Sequence, residues 1–185
     1  MKIVFIGAGN LATHVSQALQ KAGHEVVQVF SRTQASATTL ASLLGAEPVT
    51  NLSHLQCDAQ LYIVSVKDDA LPSVVQQLPQ LSPDAIVVHT AGSVPIDVLA
   101  GVGAHFGVFY PMQSFSKARQ LSLAHVPFYV EGSDPQTTDM LLTVAHSISD
   151  TARVLSSANR RYLHLAAVFA NNFTNYCYTV AGNVM

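Results

Sequence analysis

Residues 1–32 read MKIVFIGAGNLATHVSQALQKAGHEVVQVFSR, and this stretch decides the fold. The apolar run Lys2–Ile6 predicts a buried strand, and the small-residue turn 7–12 follows it directly. Apolar residues at helical spacing then predict a helix that ends near Gly23, and residues 25–30 predict a second strand. Strand, turn, helix and strand in this order form one unit of a parallel α/β sheet.

The turn after the first strand spaces its small residues as Gly-x-Gly-x-x-Ala. Gly7 lets the chain reverse tightly, Gly9 removes a side chain that would block a diphosphate, and Ala12 allows close helix–strand packing. The helix N-terminus adds free N–H groups and a partial positive charge. A tight turn alone also favours glycine, but here the flanking elements match the dinucleotide-binding pattern. The residues predicted to hold a diphosphate are Gly7, Ala8, Gly9, Asn10 and Leu11.

The end of the second predicted strand bears on which nicotinamide coenzyme fits. An acidic residue there would accept hydrogen bonds from the ribose 2′-hydroxyl of NAD, but the chain has Ser31, Arg32 and Thr33 and no acid. An arginine and two hydroxyls can instead bind a 2′-phosphate. These residues predict NADP rather than NAD, although Arg32 as a solvated turn residue is the alternative.

Composition limits the other classes of function. The chain has 185 residues, 49% of them hydrophobic and 11% charged, with a net charge of −2, which suits a globular domain. Its nine Lys and Arg residues are scattered, so neither a nucleic-acid groove nor a membrane surface is expected. Cys57 and Cys177 lie far apart and suggest neither a metal site nor a disulfide framework. With no signal peptide ahead of the first strand, we expect a cytoplasmic protein.

The rest of the chain alternates apolar runs with helical stretches. Further strands are predicted at 47–49, 60–65, 85–89, 104–109, 128–131 and 152–155. Helices are predicted at 34–44, 69–78 and 134–147 and from Ala158 onward, with a brief turn after Pro95. Strands without polar alternation are typical of a parallel sheet covered on both faces. The predicted fold class is therefore α/β, a doubly wound and mostly parallel sheet followed by a long helix.

Three loops leave the carboxyl ends of predicted strands, where ligands bind in such sheets: 65–68, 89–93 and 110–113. We expect the first to pass over the nicotinamide ribose. Each loop also has a structural alternative: Asp68 as a helix cap, His89 as a satisfied buried histidine, and residues 111–113 as a simple turn. The predicted cofactor-binding residues here are Ser65, Val66, Lys67 and Thr90, and the catalytic candidate is His89.

Beyond Arg161 the chain contains no Lys, Arg, Asp or Glu, yet it keeps several polar residues that argue against a membrane span. At 100° per residue, one stripe of the predicted helix contains His164, Val168, Asn171, Asn175, Tyr178 and Gly182. We expect this stripe to line a ligand cleft, with His164 and Asn171 as catalytic candidates. The apolar faces would pack against a missing domain or a second subunit. Alternatively, the asparagines face solvent and the apolar side covers the sheet.

Several motifs resemble known families. The turn GAGNLA, the segment 31–33 and Val66-Lys67 resemble the first domain of pyrroline-5-carboxylate reductase, in the group of 6-phosphogluconate and 3-hydroxyisobutyrate dehydrogenases. Across the whole chain, HTAG at 89–92, YPMQSF at 110–115 and HLAAVFANN at 164–172 resemble a family of NADP oxidoreductases, which is similar to deazaflavin-dependent enzymes in its first domain. The resemblance implies an NADP-binding domain at 1–156, the start of a truncated helical domain at 157–185, and a homodimer formed through the C-terminal helix.

Three departures from these relatives bear on the chemistry. Hydroxyacid dehydrogenases of the group place a catalytic lysine four residues before an asparagine, where this chain has Val168 before Asn172. His164, one turn earlier, is the substitute proton donor, since imidazole titrates near neutral pH. The glycine- and serine-rich helical motif of pyrroline-5-carboxylate reductase is absent, and Tyr110 stands where many relatives have histidine.

Together these features predict an NADPH-dependent reductase that transfers hydride to a small carbonyl or imine compound. The alternative is a non-catalytic NADP-binding module that senses redox state or regulates a partner, which the missing lysine favours. A deazaflavin-to-NADP shuttle would need a cleft for a second cofactor, and no residue demands one.

Overall fold

The computed structural model describes residues 1–119 and 121–184 and contains one eight-stranded sheet with helices on both faces. The strands are β1 Lys2–Ile6, β2 Glu25–Phe30, β3 Glu47–Val49, β4 Leu61–Val64, β5 Ile86–His89, β6 His105–Pro111, β7 Phe128–Gly132 and β8 Ala152–Val154. Their spatial order is β3-β2-β1-β4-β5-β6-β7-β8. The order reverses between β1 and β4, as in a doubly wound fold. The predicted α/β class is confirmed.

The described chain contains six α-helices. They are α1 Asn10–Lys21, α2 Gln34–Leu44, α3 Leu71–Gln76, α4 Pro135–His146, α5 Ser157–Ala167 and α6 Thr174–Val184. Short 3₁₀ turns occupy Leu52–His54 and Ile96–Leu99, and a π-helical segment, Val168–Phe173, joins α5 to α6.

Two hydrophobic clusters cover the faces of the sheet. One contains residues of α1, α2 and α4, and the other contains residues of α3 and of the 3₁₀ turns. Every residue of β4 and β5 is buried, because both faces of these central strands are covered. This explains why their sequences are apolar without alternation.

One edge of the sheet departs from the parallel pattern. β7 pairs antiparallel with β6, Pro111 opposite Phe128, and β8 pairs parallel with β7. No helix forms a crossover among the described residues between β6 and β7, and the chain returns along the same edge in the opposite direction. An apolar run predicts a buried strand but carries no information on its direction.

Two helices differ from the sequence prediction. α3 is shorter than the predicted 69–78, because Pro72 lies in its first turn and Pro79 disfavours helical geometry at the preceding residue. The predicted stripe along the final helix assumed an unbroken α-helix. The wider turn at Val168–Phe173 rotates α6 relative to α5, so residues 164–182 do not form one straight stripe. No helix among the described residues is long and apolar enough to cross a membrane.

Candidate functional site

The glycine turn after β1 is built around a backbone contact. Gly7 has a φ of +119°, and a Cβ atom there would overlap the carbonyl oxygen of Ser65, at the end of β4. The Ser65 N–H in turn donates to the Ile6 carbonyl oxygen (2.8 Å). Only glycine lets β1 and the β4 loop approach this closely. Val66 lies beside the same turn, at 3.5 Å from the position of that Cβ atom.

Gly9 faces open space rather than protein. A Cβ atom at this position would meet nothing within 4 Å, and Gly9 is exposed. It is the N-cap residue of α1, where no side chain caps the helix and no acidic residue lies in the first turn. The first N–H groups of α1 therefore have no protein acceptor among the described residues. An open turn with free donors at a helix N-terminus fits a diphosphate.

The segment after β2 surrounds a second helix N-terminus. Thr33 is the N-cap of α2, and its hydroxyl oxygen accepts from the Ser36 N–H (3.4 Å). The Ser31 N–H donates to the Val49 carbonyl oxygen (3.0 Å), which attaches this loop to β3. Arg32 is exposed and forms no ion pair within the described chain. With no acid in the first turn of α2, the arrangement suits an added phosphate.

The β4 and β5 loops are connected by a short hydrogen bond. The Ser93 hydroxyl donates to Asp68 Oδ2 at 2.6 Å. Asp68 does not cap α3, whose N-cap is Ala70, so that alternative is wrong. Lys67 is exposed and its carbonyl oxygen accepts from the Ala70 N–H (3.0 Å). The two loops thus form one edge of the crevice above the sheet.

His89 lies beneath this crevice rather than on its surface. The side chain is fully buried, and its Nδ1 accepts from the Ala91 N–H at 3.1 Å. Burial, assisted by the charge of Arg160, lowers the pKa of His89 to about 4, so the ring is neutral near pH 7. A residue with no exposed surface does not contact substrate in this conformation. His89 therefore shapes the loop that contains Thr90, which is itself buried.

The structure pairs His164 of α5 with Tyr110 of β6. Tyr110 Oη lies 3.0 Å from His164 Nδ1, and the rings meet edge to face with centroids 5.9 Å apart. Burial raises the pKa of Tyr110, so the phenol keeps its proton and can donate to Nδ1. Gly92 leaves room for this arrangement, because a Cβ atom there would overlap the His164 imidazole.

A buried ion pair anchors α5 one turn before His164. Arg160 is fully buried and its Nη1 lies 2.8 Å from Glu131 Oε2, while the Ser157 hydroxyl donates to the same oxygen at 2.6 Å. Arg160 Nη2 also donates to the Val94 carbonyl oxygen. Burial alone would raise the pKa of Glu131, but the hydrogen bonds from Ser157 and Arg160 and the arginine charge outweigh it and lower that pKa. The two ionic partners lie 29 positions apart, and no local sequence pattern predicts either of them.

Asn171 lies in the π-helical segment, opposite the loop that follows β6. Its Nδ2 donates to Ser114 Oγ at 2.7 Å, and Asn175 Nδ2 donates to its Oδ1 at 3.1 Å. Gln113 is exposed, and its side-chain oxygen accepts from the Ser114 N–H (2.8 Å). The long helix is thus attached to the crevice at two levels, through His164 and through Asn171.

The carboxyl ends of β1, β4, β5 and β6 adjoin one another in the sheet, so their loops share one crevice. No group of three or more His, Cys, Asp or Glu side chains within the described ranges could hold a metal ion. The crevice consists of an open glycine turn at one end and a Tyr–His pair at the other.

Two protein families match parts of the chain. The Rossmann-like domain matches residues 1–110, and a domain of unknown function, DUF2520, matches residues 126–185. No curated protein matches the sequence. Among solved structures, the chain is similar to one from Bacteroides fragilis described as a "putative NADP oxidoreductase", with 44% identity and a TM-score of 0.95. That similarity covers 99% of this chain and 71% of the other.

More distant solved structures share the fold. A reductive aminase from Aspergillus terreus, in complex with NADPH and ethyl-5-oxohexanoate, is 19% identical with a TM-score of 0.71, over 97% of this chain and 63% of that one. A prephenate dehydrogenase from Aquifex aeolicus, in complex with hydroxyphenyl propionate and NAD⁺, is 15% identical with a TM-score of 0.75, over 94% of this chain and 68% of that one. Pyrroline-5-carboxylate reductase is also among these structural neighbours.

Proposed function

We propose that this chain, which belongs to the Rossmann-like domain family and to the family of the Bacteroides fragilis oxidoreductase, transfers hydride between NADP(H) and a small carbonyl or imine compound. The observation that carries the proposal is the glycine turn, where Gly9 is open and the N-terminus of α1 has no side-chain cap. Gly7, Ala8, Gly9, Asn10 and Leu11 would hold the diphosphate.

The preference for NADP over NAD rests on the charge around Arg32. The segment 31–33 has no carboxylate, and the first turn of α2 has none either. A 2′-phosphate there would meet the Arg32 guanidinium and the partial positive charge of the helix N-terminus. Ser65, Val66, Lys67 and Thr90 would border the ribose and nicotinamide.

Replacing Arg32 tests the coenzyme preference directly. In Arg32→Ala we expect NADPH to bind about tenfold more weakly, with NADH affinity unchanged, because one charge-assisted hydrogen bond to the 2′-phosphate is lost. The matched control is Arg153→Ala, which removes the same charge from β8, at the opposite side of the sheet. Titration calorimetry with both coenzymes measures the difference. Equal affinities of wild type for NADPH and NADH would contradict the preference.

The Tyr110–His164 pair supplies the proton chemistry of the proposal. When bound, the coenzyme supplies the hydride, and reduction of a carbonyl or imine also requires a proton at the oxygen or nitrogen. A protonated imidazole would donate its Nδ1 proton to the Tyr110 oxygen, 3.0 Å away, and pass its Nε2 proton to the substrate, which leaves a neutral ring. His164 is therefore the proposed proton donor, oriented by Tyr110, and Asn171 is the proposed polar contact for the substrate.

Turnover separates this proposal from the non-catalytic module. We expect NADPH oxidation by the full-length protein with at least one member of a panel of keto and imino acids. His164→Ala should abolish turnover while keeping NADPH affinity, whereas His146→Ala, which removes an exposed imidazole from the last turn of α4, should keep both. NADPH binding without oxidation of any compound would favour the sensing module, whose partner would meet the exposed helix.

We also propose that the long C-terminal helix forms a homodimer. Eight large apolar side chains between Tyr162 and Val184 are exposed, and Phe169 and Phe173 stack with centroids 5.0 Å apart. Such an apolar surface favours association with an identical helix. Analytical ultracentrifugation of the full-length protein should show a dimer that weakens in Phe169→Ser/Phe173→Ser. A monomer at all concentrations would contradict this part of the proposal.

A further inference from the structure

The chain after β6 crosses the first turn of α1, and we name residues 113–117 the strap. Asn10 Nδ2 donates to the Phe115 carbonyl oxygen at 3.0 Å, and His14 Nε2 donates to the Ser116 carbonyl oxygen at 2.9 Å. The His14 and Phe115 rings lie 5.5 Å apart. These contacts hold the strap against the helix whose N-terminus forms the glycine turn.

The strap ends in a lysine that reaches the glycine turn itself. Lys117 Nζ donates to the carbonyl oxygen of Ala8 at 3.0 Å, and Ala8 lies between Gly7 and Gly9. A cation contributed from 109 positions away therefore lies beside the proposed diphosphate site, although the turn and the first turn of α1 contain no charged residue of their own.

This cation lies beside a second positive group and has no anionic partner in the described chain. Lys117 has no carboxylate partner in the described part of the chain, and no acid lies in the first turn of α1. The N-terminus of α1 also has a partial positive charge. An anion bound between these two positive groups would be attracted by both of them.

We infer that Lys117 is a ligand of the coenzyme diphosphate, an inference that rests on the proposed function. Its ammonium supplies a charged donor, while the N–H groups at the start of α1 supply neutral ones. The diphosphate is common to both nicotinamide coenzymes. Lys117 thus strengthens binding of NADPH and NADH alike, whereas Arg32 distinguishes between them.

The test compares Lys117→Met with Lys21→Met, which removes the same charge from the last turn of α1. Titration calorimetry with NADPH and with NADH gives the dissociation constants of wild type and both variants. We expect Lys117→Met to bind both coenzymes about tenfold more weakly, by the same factor, and Lys21→Met to stay within about twofold of wild type. Lys117→Arg, which keeps the charge, should retain most of the affinity.

Three results would overturn the inference. The first is a Lys117→Met affinity equal to that of Lys21→Met. The second is a loss of affinity for NADPH alone, which would mean that Lys117 binds the 2′-phosphate and not the diphosphate. The third is a loss that accompanies a lower melting temperature and is not restored in Lys117→Arg, which indicates that the lysine only fastens the strap. If wild type binds neither coenzyme, the proposed function fails as well, whereas normal wild-type binding with the first result removes only the role of Lys117.

Discussion

The two ends of the crevice are built differently. At the coenzyme end, the site is formed mainly by the backbone of one short turn. Gly7 contacts Ser65 closely there, and Gly9 faces open space. At the other end, side chains from distant elements meet, as Tyr110 and His164 do across 54 positions. The backbone end tolerates little variation in residue type, whereas the side-chain end can change its chemistry by changing single residues. In the proposed reaction, the glycine turn holds the coenzyme and the Tyr110–His164 end selects the substrate.

The largest effect should come from Gly7→Ala, which tests whether the coenzyme end depends on backbone geometry. The added Cβ atom would overlap the Ser65 carbonyl oxygen at a φ of +119°. Strain and overpacking together should cost about 4 kcal/mol of the free energy of unfolding. Gly9→Ala is the control: it should change stability by less than about 0.5 kcal/mol, since open space surrounds it, while weakening NADPH binding. Urea denaturation and calorimetry distinguish the two, and similar stability losses would contradict the comparison.

The next effect should come from Arg160→Met, which tests how the side-chain end is anchored. Removing this buried cation leaves the Glu131 carboxylate without its partner and should cost about 3 kcal/mol of the free energy of unfolding. Adding Glu131→Gln to Arg160→Met should recover part of that loss. Urea denaturation of the single and double variants measures both. An additive loss in the double variant would mean that the ion pair is not the source of the stability.

His89 lies between the two ends and predicts a pH dependence. Its pKa is about 4 in the folded protein and 6.5 in an ordinary environment, so the unfolded chain binds the proton more readily. Stability from this group is complete above pH 6.5 and is lost as pH falls towards 4, by about 3 kcal/mol in total. His89→Asn keeps an acceptor for the Ala91 N–H and should flatten that slope in urea denaturation. Exposed His146→Asn is the control, and an unchanged slope in His89→Asn would contradict the prediction.

The smallest effect should come from Gly92→Ala, which tests whether the β5 loop and α5 act together. The methyl group would overlap the His164 imidazole but leaves the backbone unstrained, so about 1 kcal/mol should be lost. In a His164→Ala background the same substitution should cost much less, because only the edge of the Tyr110 ring, 3.0 Å from the added Cβ atom, would remain close. A double-mutant cycle from urea denaturation gives the coupling. Equal costs in the two backgrounds would contradict direct packing between these residues.

The same contrast explains what the sequence could predict. The glycine turn is local, so strand β1, the turn and helix α1 follow one another in sequence as in space, and the bounds of β1, β2, α2 and β3 were predicted correctly. His164 was found because a polar residue interrupts an uncharged run, although which residue it contacts was not predictable. Two contacts join segments that are distant in sequence, and no local sequence pattern predicts them: Arg160 with Glu131 and Lys117 with Ala8. The direction of β7 is set by its antiparallel pairing with β6, which composition does not reveal.

The π-helical turn at Val168–Phe173 makes the long helix adjustable in discrete steps. Such a turn contains one residue more than a regular helical turn, and removing that residue would swing everything downstream by about 100°. Insertions and deletions are usually destructive inside a helix. Here, deletion of a single codon would present a new set of side chains to the crevice and leave the glycine turn unchanged. The lining of the crevice can thus change by length as well as by substitution.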